Sequence, residues 1–231
     1  RPCDCGEGPV NSRCDFLAAA YGGQMYWPEF LTIAVAHLFA VASPGPDFAV
    51  VTRQSVTGGT LAGLWTSFGV SIGILLHVGY CILGVAFVIS QSPTLFSTMK
   101  FIAAAYLLYL GVKSMMLSNG FNEQSITAST NVSIDPRKAF VLGFLTNGLN
   151  PKATLFFFAL FTVVIDINTP AQIQVIYGMY LALATFAWFA MLSKFLGRRT
   201  IRDRILRAGI WFERSMGAIL ILLALQIAFS V

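Results

Sequence analysis

The chain has 231 residues, 56% of them hydrophobic and only 11% charged, with a formal net charge of +5. A soluble domain carries charge on about a quarter of its residues, so the composition excludes an ordinary water-soluble enzyme or binding module and points to an integral membrane protein. The positive excess is no nucleic-acid footprint, because it is confined to a few short stretches between apolar runs.

Residues 1–24 are unlike the rest. They hold three of the four cysteines, several Gly and Pro, and no long apolar run. The charged start and continuous apolar middle of a signal peptide are missing. Cys3, Cys5 and Cys14 form an odd set without a nearby histidine, which fits no zinc spacing. The expectation is a disordered or spurious extension, with Met25-Tyr26-Trp27-Pro28 as the natural start and an aromatic interfacial anchor. Six apolar runs follow, at about 28–56, 61–90, 95–117, 139–165, 171–195 and 209–230, each long enough to cross a hydrocarbon core of ~30 Å as a helix.

The first run is interrupted near its middle by Ser43-Pro44-Gly45-Pro46-Asp47. Proline breaks a helix by removing a donor and clashing with the preceding turn. Ser43 followed by Pro44 reads as a helix cap and a first helical residue, so a second half-helix is expected to start there. Backbone groups freed at that depth need partners in protein or in a water-filled cavity, and the carboxylate of Asp47 is a functional-site candidate by default. His37 lies two turns earlier.

In the second run Gly69, Gly73 and His77 share one helix face by their four-residue spacing, a face suited to close helix approach. For His37 and His77 two readings stand side by side, a hydrogen-bonded histidine in a helix interface and a proton relay. The third run carries Lys100 and Lys113 near its ends, where they snorkel to the interfaces. A polar linker at 118–138, rich in Ser, Thr and Asn, follows. It contains the sequon Asn131-Val132-Ser133, read as chance.

The fourth run repeats the device of the first. Asn147, Gly148, Leu149, Asn150, Pro151 and Lys152 lie near its middle, with Asn150 before Pro151 as a cap before proline. The fifth run is uncharged from Ile167 to Ser193, and its residues are expected only to pack. The sixth begins with Glu213-Arg214, read as a local ion pair.

Pro44 and Pro151 stand 107 positions apart, and that offset carries the second and third runs onto the fifth and sixth. The fold expected is all-α integral membrane, with six transmembrane helices forming two inverted three-helix repeats (25–117 and 139–231), helices one and four broken near the midplane. Lys194, Arg198, Arg199, Arg202, Arg204 and Arg207, with Arg53, Lys113, Arg137 and Lys138, fall in the first, third and fifth loops. The positive-inside rule makes those loops cytoplasmic and puts both termini outside. Broken helices at matching positions of inverted halves point to the central site of a transporter.

At Ser43-Pro44-Gly45-Pro46-Asp47-Phe48 and at Gly143-Phe144-Leu145-Thr146-Asn147-Gly148-Leu149-Asn150-Pro151-Lys152 the sequence resembles the lysine/threonine exporter family (LysE/RhtB type) of bacterial inner-membrane proteins. Leu183-Ala184-Thr185-Phe186-Ala187-Trp188-Phe189 looks most like its threonine and homoserine branch. The resemblance implies efflux of threonine, homoserine or a similar small amino acid in exchange for protons, with no enzymatic activity and no cofactor or metal. Its expected partners are the amino acid, protons and the lipid bilayer, with a homodimer as a possible assembly and no nucleic acid. On this reading the substrate meets Ser43, Pro44, Gly45, Pro46, Asp47, Asn147, Asn150, Pro151 and Lys152, and proton coupling falls to Asp47, His37 or His77. A proton-independent channel, or an exporter of another small polar solute, is the alternative. A thiol electron carrier would need paired intramembrane cysteines, and only Cys81 lies in a run.

Overall fold

The computed structural model describes residues 12–91, 93–116, 135–166, 169–195 and 199–229. Every regular element among them is helical: α1 (Ser12–Ala42), α2 (Pro46–Thr57), α3 (Gly59–Gln91), α4 (Pro93–Met116), α5 (Pro136–Gly148), α6 (Pro151–Ala159) continued by a π turn at Leu160–Val164, α7 (Ala171–Phe195) and α8 (Arg199–Phe229). Both expected interruptions are present, between α1 and α2 and between α5 and α6. The backbone of α1 is helical from Ser12, which reaches into the segment expected to be an extension. Residues 1–11 with Cys3 and Cys5, the sequon, and the expected linker up to residue 134 lie outside the described residues, as does the side chain of Cys14.

Among the described residues, three helices are long and apolar enough to cross a membrane each, at Gly59–Gly84, Ser97–Met116 and Ala171–Phe195. Tyr26–Ala42 and Pro46–Thr57, bent by 53° at their break, make a fourth span if taken together. The six expected runs were counted through their breaks, whereas α5 and α6 have 13 and 9 residues. At 1.5 Å per residue those are about 20 Å and about 14 Å long, and neither spans alone.

The exterior differs from that of a water-soluble protein. Large apolar residues face outward, among them Leu31, Leu61, Leu83, Ile102, Leu183 and Leu222, while His37, Thr66, Ser67, Ser71, His77, Asn147, Asn150 and Thr185 are buried. Several buried hydroxyls are satisfied within their own helices: Ser55 donates to the Val51 carbonyl, Thr66 to Ala62, Ser67 to Gly63 and Ser193 to Phe189, at 2.7–2.9 Å, while Ser71 donates to the Ala182 carbonyl of α7 at 2.8 Å. Such internal satisfaction is what a hydrocarbon surround requires, and with the apolar exterior it makes this a multi-pass membrane protein.

The broadest helix contact is between α3 and α5, and glycine permits it. A Cβ at Gly69 would strike the Phe140 carbonyl, and one at Gly143 would strike the Thr66 carbonyl, so the two backbones touch. Gly111 and Gly217 seat α4 against α8 in the same manner. At the turn from α2 into α3, Gly59 adopts φ +78°, the left-handed conformation that glycine takes at no steric cost. The α1 side chain of Glu29 ties three segments together. It accepts from the Asp166 backbone amide (2.9 Å), the Thr169 hydroxyl (3.0 Å) and the Tyr177 hydroxyl (3.2 Å).

Candidate functional site

The first break differs from the expected capping. The Ser43 amide still donates to the Phe39 carbonyl at 3.0 Å and so closes α1. The new helix begins at Pro46, with Gly45 as its extended cap residue at φ −158°, ψ −171°, and without a side-chain cap. Ser43 and Pro44 are therefore not the cap and first residue of α2. A residue preceding proline is driven out of the α region, so a helix begun at Pro44 would fail at Gly45, and the start moves two residues on. This shift puts Asp47 in the first turn of α2, where the positive end of the helix dipole favours a carboxylate. It also frees the Ser43 hydroxyl from capping.

The second break follows the expectation. Asn150 caps α6, its side-chain oxygen accepting from the Lys152 amide at 3.0 Å, with Pro151 as first helical residue. The two breaks are thus capped differently.

The two breaks meet. Asp47 Oδ2 accepts from Asn147 Nδ2 at 3.0 Å and from Asn150 Nδ2 at 3.2 Å. Lys152 Nζ donates to Ser43 Oγ at 3.0 Å, and Lys152 and Asp47 line one cavity. Asp47 Oδ1 is buried and has no hydrogen-bond partner. A carboxylate oxygen left unpaired in a buried site is costly unless a ligand or proton completes it. Asn147 Oδ1 is likewise without a donor. It faces Gly73, where a Cβ would stand 2.6 Å away, so only a glycine leaves room for this amide.

His77 lies behind Asn147. Its Nε2 is 2.9 Å from the Asn147 carbonyl, an acceptor only, so Nε2 carries the proton and Nδ1 accepts from the Tyr80 hydroxyl. The ring stacks on Phe157 with centroids 5.5 Å apart. Gly69, Gly73 and His77, aligned by their spacing, thus form one seat for α5: backbone against backbone, then room for the Asn147 amide, then a bond to its carbonyl. His37 is placed differently. Its Nε2 lies 2.9 Å from Thr185 Oγ1 of α7, and both residues border the cavity between the breaks.

That cavity, of about 60 Å³, is walled by Ser43, Gly45, Pro46, Asp47, Asn147, Asn150 and Lys152 on its polar side and by aromatic and aliphatic groups including Phe156, Phe189 and Met216 on the other. It has room for several waters. Pro44 and Pro151 do not line it; they interrupt α1 and start α6. Thr185 escaped the sequence reading, which assigned the fifth run to packing alone, because one hydroxyl in an uncharged helix carries no signal until its neighbours are known.

A polar cavity at the meeting of two interrupted helices, inside a helical body with an apolar exterior, defines a membrane translocator. The chain belongs to the LysE type translocator family, which matches residues 38–230, as the two motifs led us to expect. It is 27% identical to a threonine efflux protein of Salmonella typhi and 26% identical to one of Escherichia coli K12, in each case over 82% of this chain and 92% of the relative. An uncharacterized membrane protein of Bacillus subtilis, YrhP, is 32% identical over 66% of this chain and 75% of its own length. No solved structure matches it.

Proposed function

We propose that this protein exports a small amino acid, threonine or homoserine among the candidates, across a bacterial inner membrane in exchange for protons. Amino-acid efflux is supported by the family and by the efflux relatives. The observation that carries the finer reading is the buried, unpartnered Asp47 Oδ1, on a carboxylate whose other oxygen accepts from Asn147 and Asn150 and which lines one cavity with Lys152.

A zwitterion needs a counterpart at each end. The substrate ammonium completes Asp47 through Oδ1, while Lys152, released from Ser43, holds the carboxylate with the N-terminal end of α2 assisting. Protonation of Asp47 removes the charge that retains the ammonium. Substrate and proton then compete for one carboxylate, which is the requirement of an antiporter. One proton moving inward across about 100 mV releases about 2.3 kcal/mol, and at about 1.4 kcal/mol per tenfold this sustains a concentration ratio of roughly 40 for a neutral amino acid.

We read the architecture as six spans in two inverted halves, with α1–α2 answering α5–α6, α3 answering α7, and α4 answering α8. Supporting this, the bonds His77 to Asn147 and His37 to Thr185 each join the broken span of one half to the second span of the other. His77 and Thr185 stand 108 positions apart, close to the 107 that separate the two prolines. Rocking of the halves about the cavity gives alternating access. The test is transport of labelled threonine in proteoliposomes under an imposed pH gradient. Accumulation that a protonophore collapses supports exchange. Flux indifferent to the gradient indicates a channel or uncoupled exporter, and absence of amino-acid flux refutes the proposal.

A further inference from the structure

Asp47 and Lys152 answer the two charged ends that every amino acid shares, so selectivity must come from another part of the cavity. Across it stand Thr185 of α7 and His37 of α1, 1% and 3% exposed, with Nε2 of the imidazole 2.9 Å from the hydroxyl. Val70, Ile74, Phe189 and Met216 add apolar surface to the same cavity.

We infer that Thr185, oriented by His37, is the specificity-determining residue, and that it reads a hydroxyl on the side chain of the transported solute. The inference rests on the amino-acid transport proposed above. A hydroxyl offers one proton and two lone pairs, and the contact with His37 uses one of these. If His37 donates, the Thr185 proton is free to donate to the solute. If His37 accepts, both lone pairs of Oγ1 are free to receive the solute's proton. In either tautomer the solute hydroxyl, itself donor and acceptor, finds a match.

The setting of Thr185 distinguishes it from other buried hydroxyls. Thr66 and Ser67 donate to carbonyls four residues back in their own helix, and Ser55 and Ser193 do the same and also meet each other across α2 and α7 at 3.0 Å, but none of the four lines the cavity. Thr185 reaches across to His37 of α1 and borders the cavity that holds Asp47 and Lys152. The consequence is a selectivity that an apolar wall cannot deliver. Threonine and valine have the same shape, and an apolar pocket separates such isosteres poorly. A site built around a hydroxyl rejects the analogue that leaves its polar group unpaired.

The experiment is counterflow: proteoliposomes containing the full chain are loaded with unlabelled threonine, and entry of labelled threonine is competed with external threonine, serine, valine and alanine. In the wild type, threonine should compete at least about tenfold better than valine. In Thr185→Val that gap should close to within about threefold, through weaker competition by threonine and serine, while Thr185→Ser should keep it. If Thr185→Val is not recovered folded, Thr185→Ala carries the same expectation. An undiminished gap in the folded hydroxyl-free variant, or a wild type that exchanges amino acids with no preference for threonine over valine, overturns this inference and leaves the transport reading standing. A wild type that exchanges no amino acid overturns both.

Discussion

Asp47 is held by two amides on one oxygen and by nothing on the other, and this asymmetry separates two roles that a substitution can test. Asp47→Asn keeps the shape and an acceptor for an ammonium group but cannot take up and release a proton. We expect loss of concentrative, gradient-driven transport with residual exchange down the substrate's own gradient, measured in proteoliposomes at matched protein amount. A variant that responds to the pH gradient as the wild type does would make Asp47 structural. Lys152 is the complementary case. It is half-buried, bonded to Ser43 and lines the cavity with Asp47. Lys152→Met keeps the aliphatic stem and removes the charge, so KM should rise by about tenfold or more, the loss of a charge-assisted bond being worth about 1.5–3 kcal/mol. Unchanged transport would leave Lys152 with no part in substrate binding.

Among the helices, α3 sets the site although it contributes little of the wall. Its glycine face seats α5, and Gly73 in particular is the space that the Asn147 amide occupies, a Cβ there standing 2.9 Å from the Asn147 Cβ. Gly73→Ala should push Asn147 away from Asp47, lowering transport about tenfold and costing about 1–3 kcal/mol of stability through overpacking. Gly79, on the same helix, has nothing within 4 Å of an added Cβ, so Gly79→Ala should match the wild type in both respects. Thermal unfolding in detergent and threonine counterflow read the two effects separately. Equal behaviour of the two variants would show that α5 can shift to accommodate the methyl group.

At the scale of the whole molecule, the proposed inverted halves require a particular sidedness. Reporter fusions after Asn122 and Thr200 should report a cytoplasmic location, and one after Val231 a periplasmic one, as the clustered arginines and lysines of the odd-numbered loops require. Termini on opposite sides would remove the inversion, since two halves of three spans each are antiparallel only if both ends lie on one side. The large core draws on α1, α3, α4, α6, α7 and α8, and a smaller one gathers Phe48, Val51, Val70, Phe189 and Leu192.

The apolar runs and prolines by themselves determined the membrane solvent, the helices and the places where two of them break, because these follow from composition and from local backbone chemistry. They also marked the face of α3 by its spacing and picked out Asp47, Asn147, Asn150 and Lys152 as the polar groups of the breaks. The capping at Ser43 was misplaced, since two prolines one residue apart both satisfy the local rule, and only the extended conformation imposed on Gly45 by Pro46 decides between them. Which histidine borders the cavity was likewise beyond the sequence. His37 and His77 have similar apolar contexts, and the partners that separate them, Thr185 for one and the Asn147 carbonyl for the other, lie 148 and 70 residues away along the chain. The meeting of Asp47 with amides 100 and 103 residues distant belongs to the tertiary structure alone, because a hydrogen bond between two broken helices depends on how they cross, and no local pattern records a crossing.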